Sequence, residues 1–223
     1  MTKDEIIKRL KAKANKRNVA GMARFGIKSR AVILGVSKPH LYELAKKCGR
    51  DHALAAKLWH SKIHEAQILA GLIDKPDLVS EKQMELWAKD FDNWGICDST
   101  CCHLFDKTPF AWGKAVAWSQ RKEEFVRRAG FVLMAVLSVH DKKADNTQFV
   151  KFFPLLKAGA TDERNFVKKA VNWALRQIGK RNLYLNGRVI TLSKEIQKID
   201  SPSAKWIADD ALRELYAKRP KLA

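Results

Sequence analysis

Trp94 and Asp98, four residues apart in the run DNWGICDSTCCHLF, are a pair whose types and spacing could do chemistry. Asp92 or Asn93 can cap a helix here, which puts Trp94 in its first turn. At about 100° per residue, Trp94, Asp98, Cys101 and Phe105 fall on one side of that helix. The side is otherwise apolar, so Asp98 puts a carboxylate where a core residue is expected. Burying an ionised carboxylate without a partner is strongly unfavourable. Asp98 is therefore either a structural acid, capping a neighbouring helix or pairing with an Arg, or part of a site. An acid beside an indole face can stabilise a cation, because the charge and the π-surface both attract positive charge.

A second indole stands in a comparable setting. Phe166, Val167, Ala170, Val171, Ala174 and Ile178 form the apolar stripe of another helix, and Trp173 lies at its edge. Beyond that edge come Lys169, Arg176 and Lys180. Trp173 is either a core residue or a π-surface for a nucleotide, with cations holding phosphates on each side.

The elements that must position these residues are helical. Pro and Gly are few, six and eleven in 223 residues, and β-branched alternation is scarce. The periodicity predicts helices near 3–15, 37–48, 51–60, 63–73, 80–90, 94–105, 109–119, 122–139, 146–156, 163–181, 190–199 and 202–217. Ser37, Ser80 (with Gln83 three residues on) and Thr161 read as caps. EEFVRRAGFVL at 123–133 aligns with RNFVKKAVNWA at 164–174, an offset of 41 residues that pairs Phe125 with Phe166 and Ala129 with Ala170. Another 41 residues lead to Ala211 in KWIADDALREL. That period suits helix-pair repeats that stack into a curved solenoid. A plain helical bundle is the alternative. No linker divides the chain, so residues 1–223 are expected to form one domain.

Charge narrows the function. Lys and Arg number 43 against 24 Asp and Glu, a formal charge of +19. The excess runs from Lys8, Lys11 and Lys13 through Arg127 and Lys168 to Arg219 and Lys221, so it predicts a basic face rather than a basic tail. Charge alone does not tell DNA from RNA or an anionic membrane surface. The start, MTKDEIIKRLKAKANKR, lacks a signal-peptide core, and no apolar run approaches a membrane span. The expected location is the cytoplasm, in keeping with four Cys in no disulfide-like pattern. Cys97, Cys101, Cys102 and His103 lack the loop spacing of a zinc site and read as packing residues. Trp112 and Trp118 also read as packing, and His40, His60 and His64 as surface or capping residues. Nucleotide-binding glycine motifs are absent.

Four segments carry a resemblance: MARFGIKSRAVILGVSKPHL at 22–41, the W-x-x-x-D of Trp94 and Asp98, FVRRA at 125–129, and FVKKAVNWALRQIGKRN at 166–182. In this order and spacing they resemble the AlkD family of DNA alkylation repair glycosylases. The resemblance implies an all-α, HEAT-like α-solenoid of stacked antiparallel helix pairs, with duplex DNA across its concave basic face. It assigns the active site to Asp98, Trp94 and Trp173, and implies no metal and no cofactor. DNA contacts are then expected at Arg24, Phe25, Lys28, Arg128, Lys169, Arg176 and Lys180. Two departures stand out: Phe25 replaces the Tyr of the best-studied type, and Gly95-Ile96-Cys97 replaces a bulkier, more polar interior. The implied activity is hydrolysis of the N-glycosidic bond of cationic N3- or N7-alkylated purines, by a monomeric, monofunctional enzyme acting on double-stranded DNA containing alkylated bases. The alternative is a non-catalytic HEAT-like module binding distorted DNA or structured RNA.

Overall fold

A computed structural model of the protein describes residues 1–218; Arg219 and Lys221, counted in the basic excess, lie outside the described residues. Regular structure among the described residues is helical, apart from one isolated parallel bridge between Val32 and Ile63. Contacts divide the chain into two compact units, Met1–Pro109 and Phe110 onward.

The first unit holds α1 (Lys3–Ala12), α2 (Lys16–Arg24), α3 (Lys38–Cys48), α4 (His52–Trp59), α5 (His64–Ile73), α6 (Glu81–Asp90) and α7 (Trp94–His103). The predicted helix 3–15 ends at Ala12, and a helix the periodicity did not predict, α2, starts at Lys16 with Asn15 capping it by accepting the Asn18 amide. Ser80 caps α6 through the Gln83 amide, and Asn93 caps α7 through the Ile96 amide. Ser37 precedes α3 but spends its hydroxyl on His40. α5 lies at the centre, packed by α3, α4 and α7. Trp59 and Trp87 stack 3.8 Å apart with their planes 6° from parallel, and the Trp59 indole N–H donates to Asp90. His64, expected at the surface or as a cap, is instead buried.

The second unit holds α8 (Ala111–Ser119), α9 (Glu124–His140), α10 (Asn146–Val150), α11 (Phe153–Gly159), α12 (Asn165–Gly179), α13 (Leu183–Gln197) and α14 (Pro202–Lys218). The predicted helix 146–156 breaks before Pro154, as proline requires. The expected cap Thr161 turns its hydroxyl back to Ala158, and α12 begins only after Arg164. α13 starts seven residues earlier than expected, capped by Asn182.

α12 packs on both α9 and α14. Arg164 donates to the Lys122 carbonyl at one end of the α9–α12 pair, and Arg181 donates to the Ser138 carbonyl at the other. Ser203 donates to the Asp162 carbonyl, and Lys180 meets Glu214 further along. The three helices therefore run parallel, as equivalent members of successive helix pairs do, and α9 and α12 begin 41 residues apart. Trp118 is fully buried, and Trp112 stacks on Phe152 and meets Phe149 at a tilt. Gly130 of α9 touches the end of α8 so closely that a Cβ there would sit 2.2 Å from the Ser119 nitrogen.

Candidate functional site

In the first unit the candidate residues gather on α7 and the segment in front of it. Trp94 and Asp98 are half-exposed, whereas Cys101, one turn further along the same face, is fully buried. The helix ends at His103, so Phe105 joins the core from the turn that follows. The apolar side thus emerges at its N-terminal end, and Asp98 stands where it does. Asp98 has an interaction partner of its own. Burial, followed by the charges of Asp98 and Asp106, pushes the Cys102 thiol up to about 12. Burial and the neighbouring Cys97 push Cys101 well up too. Among the described residues no group of three His, Cys, Asp or Glu is arranged to hold a metal ion.

The Trp94 ring is fixed by its edge. Its indole N–H donates to the Phe25 carbonyl at 2.9 Å, just past the end of α2. Gly26, at a φ of 81°, then turns the chain, and Ile27 comes to rest over Gly95. A Cβ at Gly95 would lie 3.3 Å from Ile27 Cδ1, so the small residue in the W-x-x-x-D interior lets the segment approach α7. The Phe25 side chain stays 75% exposed, and Arg24 and Lys28 beside it are exposed.

Two carboxylates hold this segment down: Asp92, which the sequence offered as a cap of α7, and Glu65, which it did not single out. Asp92 accepts from the Ser29 hydroxyl at 2.9 Å and the Arg30 amide at 2.6 Å, with Arg30 Nε 3.6 Å away. Glu65 is only 1% exposed and accepts three successive backbone amides, from Leu34, Gly35 and Val36, at 2.9, 2.6 and 3.3 Å. The buried His64 feels the charge of both acids, and neither of its ring nitrogens has a hydrogen-bond partner. The available signal was a Glu inside the apolar run IHEAQILAGLI, where an ionised acid must have donors waiting.

In the second unit the candidates divide. Trp173 is half-buried on α12, and Lys169 is exposed one turn before it. Arg176 and Lys180, expected to hold phosphates, are both ion-paired with Glu214 of α14, at 2.5 and 2.6 Å, and Arg176 also reaches Asp210 at 3.7 Å. Burial pushes the Glu214 carboxyl up, but Lys180 and Arg176 outweigh it and hold it below the usual range. Arg128, expected near DNA, is 6% exposed and donates to the Phe166 carbonyl at 2.5 Å, bracing α9 against α12. Arg164 and Arg127 are both engaged by Asp162.

These features define an all-helical protein of paired, repeated helices, strongly basic, that presents an acid beside an edge-anchored indole. The chain belongs to the DNA alkylation repair enzyme family, whose sequence model matches residues 6–198. Among solved structures, the chain is similar to a member of a new family of proteins related to the HEAT-like repeat DNA glycosylases with affinity for branched DNA structures. The TM-score is 0.79 at 18% identity, over 96% of this chain and 95% of that one, so the fold is a HEAT-like repeat fold. No curated protein matches the chain. Among the described residues no helix is long and apolar enough to cross a membrane.

Proposed function

We propose that the protein is a DNA glycosylase that hydrolyses the N-glycosidic bond of cationic N3- or N7-alkylated purines in duplex DNA. The observation that carries this reading is the half-exposed Asp98 one turn from Trp94, whose ring is pinned by the Phe25 carbonyl. An alkylated purine already bears positive charge. The C1′–N bond breaks with its electron pair going to the purine nitrogen, and the base leaves neutral without prior protonation. Positive charge moves to the sugar as an oxocarbenium ion, which the Asp98 carboxylate stabilises through space. Water adds to C1′ and loses a proton, to Asp98 or to solvent, leaving an abasic sugar. The Trp94 face attracts the same developing charge. Trp173 is assigned a second aromatic surface for DNA, and Arg24, Phe25, Lys28 and Lys169 are the exposed residues expected to touch it.

Release of 7-methylguanine from methylated duplex DNA tests the assignment. Asp98→Asn is expected to lower the single-turnover rate by about 100-fold or more, the scale of removing one preorganised electrostatic group. Unchanged release would refute the role of Asp98. A cationic lesion should be excised and its neutral analogue should not, because departure relies on the base's own charge.

A second reading has support of its own. The structural neighbour is described by its affinity for branched DNA, and a shared fold hosts more than one function. On that reading the chain binds distorted DNA without releasing bases, and wild type would show tight, salt-sensitive binding with no 7-methylguanine release.

A further inference from the structure

Of the seven Trp, Trp206 on α14 is the exposed one, with 41% of its surface in solvent. An indole left in water is unfavourable for folding. The Lys168 ammonium of α12 sits 5.2 Å from the centre of its ring.

The charge around it is unevenly distributed. On the C-terminal half of α12, Arg176 and Lys180 are neutralised by Glu214 and Asp210. On the N-terminal half, Lys168 and the exposed Lys169 are in no ion pair among the described residues. Lys205, beside Trp206, meets only the fully exposed Asp200 at 3.1 Å, a pair worth little in water. The phosphate-binding capacity of this surface is therefore concentrated where the exposed indole stands.

We infer that Trp206 and Lys168 form a binding site for an unpaired nucleotide. The indole stacks on a base that has left the duplex stack, and Lys168, with Lys169, holds the neighbouring phosphate. A fully paired duplex offers no free base face along its length, so an exposed ring surrounded by cations discriminates in favour of unpaired bases. This inference rests on the reading of the chain as a DNA-binding protein. It does not rest on catalysis, and its readout is binding rather than base release.

The test is fluorescence-anisotropy titration of the full chain with two labelled DNAs of equal length, one fully paired and one carrying a short central bulge. Wild type is expected to prefer the bulged DNA. Trp206→Ala should weaken bulged-DNA binding by about tenfold, the low end of the loss of one stacked base, and paired-DNA binding by no more than about twofold. Trp206→Phe, which keeps a ring, should restore most of the preference. Lys168→Gln should reduce the slope of log affinity against log salt by about one on the bulged DNA. An equal loss on both DNAs, no loss at all, or a wild type that shows no preference would overturn the inference. If the alanine variant loses its helical circular dichroism, Trp206→Leu against Trp206→Phe decides, and equal affinities would count against stacking.

Discussion

Glu65 and Asp74 in the first unit and Asp162 and Glu214 in the second use their charge in opposite ways. In the first, two buried acids serve neutral donors: Glu65 takes three backbone amides, and Asp74, fully buried, takes its own neighbour's amide and the Gln83 side chain. In the second, two partly buried acids serve cations: Asp162 holds Arg164 and Arg127, and Glu214 holds Arg176 and Lys180. The first arrangement consumes negative charge to shape a segment and leaves the basic side chains near Phe25 in water. The second consumes the basic side chains themselves. A net charge of +19 therefore says little about which cations can meet a phosphate.

This contrast can be broken by experiment, and the largest effect should come from Glu65. Glu65→Ala strands three backbone amides, two of them in buried bonds, and is expected to cost about 3 kcal/mol or more in urea unfolding. Glu214→Ala removes half-exposed ion pairs and should cost under about 1 kcal/mol. Equal costs would erase the distinction.

A smaller effect separates the units by pH. Burial pushes the His64 imidazole below its usual 6.5, against a partial upward pull from Glu65 and Asp92. The unfolded chain then binds a proton that the folded one refuses, so the first unit loses stability as pH falls below 6.5. Burial also pushes Asp162 and Glu214 up, but Arg164 in one case and Lys180 with Arg176 in the other hold them below the usual carboxylate range. Their stabilisation is present above that range and is lost only as pH falls through it, below about 4. Hydrogen exchange between pH 7 and 5, corrected for intrinsic rates, should show α5 losing protection before α12, and His64→Gln should abolish the difference.

The smallest effect concerns affinity. Glu214→Gln releases Lys180 and leaves Arg176 only the longer contact with Asp210, and duplex affinity should rise about threefold at low salt with a steeper salt dependence. No change would mean that these cations do not meet DNA.

Sequence periodicity revealed the helices because each core face repeats at helical spacing, and the 41-residue offset revealed the repeat because Phe125 and Phe166 really do meet, their rings 5.5 Å apart. It missed α2, and it merged α10 with α11, where a proline breaks helices whose hydrophobic patterns run together. Trp94 and Asp98 were readable because an acid on an apolar face is conspicuous within one helix. Glu214's claim on Arg176 and Lys180 was not, because it joins residues 38 and 34 positions apart and leaves no local pattern. Likewise Arg128 looked available in FVRRA, and only its contact with the Phe166 carbonyl shows why it is buried.

Gly130 limits how far these repeats can be treated as interchangeable parts. The 41-residue register places Val171 at the equivalent point of α12, so a consensus derived by averaging the copies would install a branched side chain in α9. There it would strike the backbone of Ser119 and Trp118, which cannot swing aside as a flexible side chain could. Anyone shuffling or extending this scaffold must keep the α8–α9 joint as a matched pair, and modular redesign is better begun at α12.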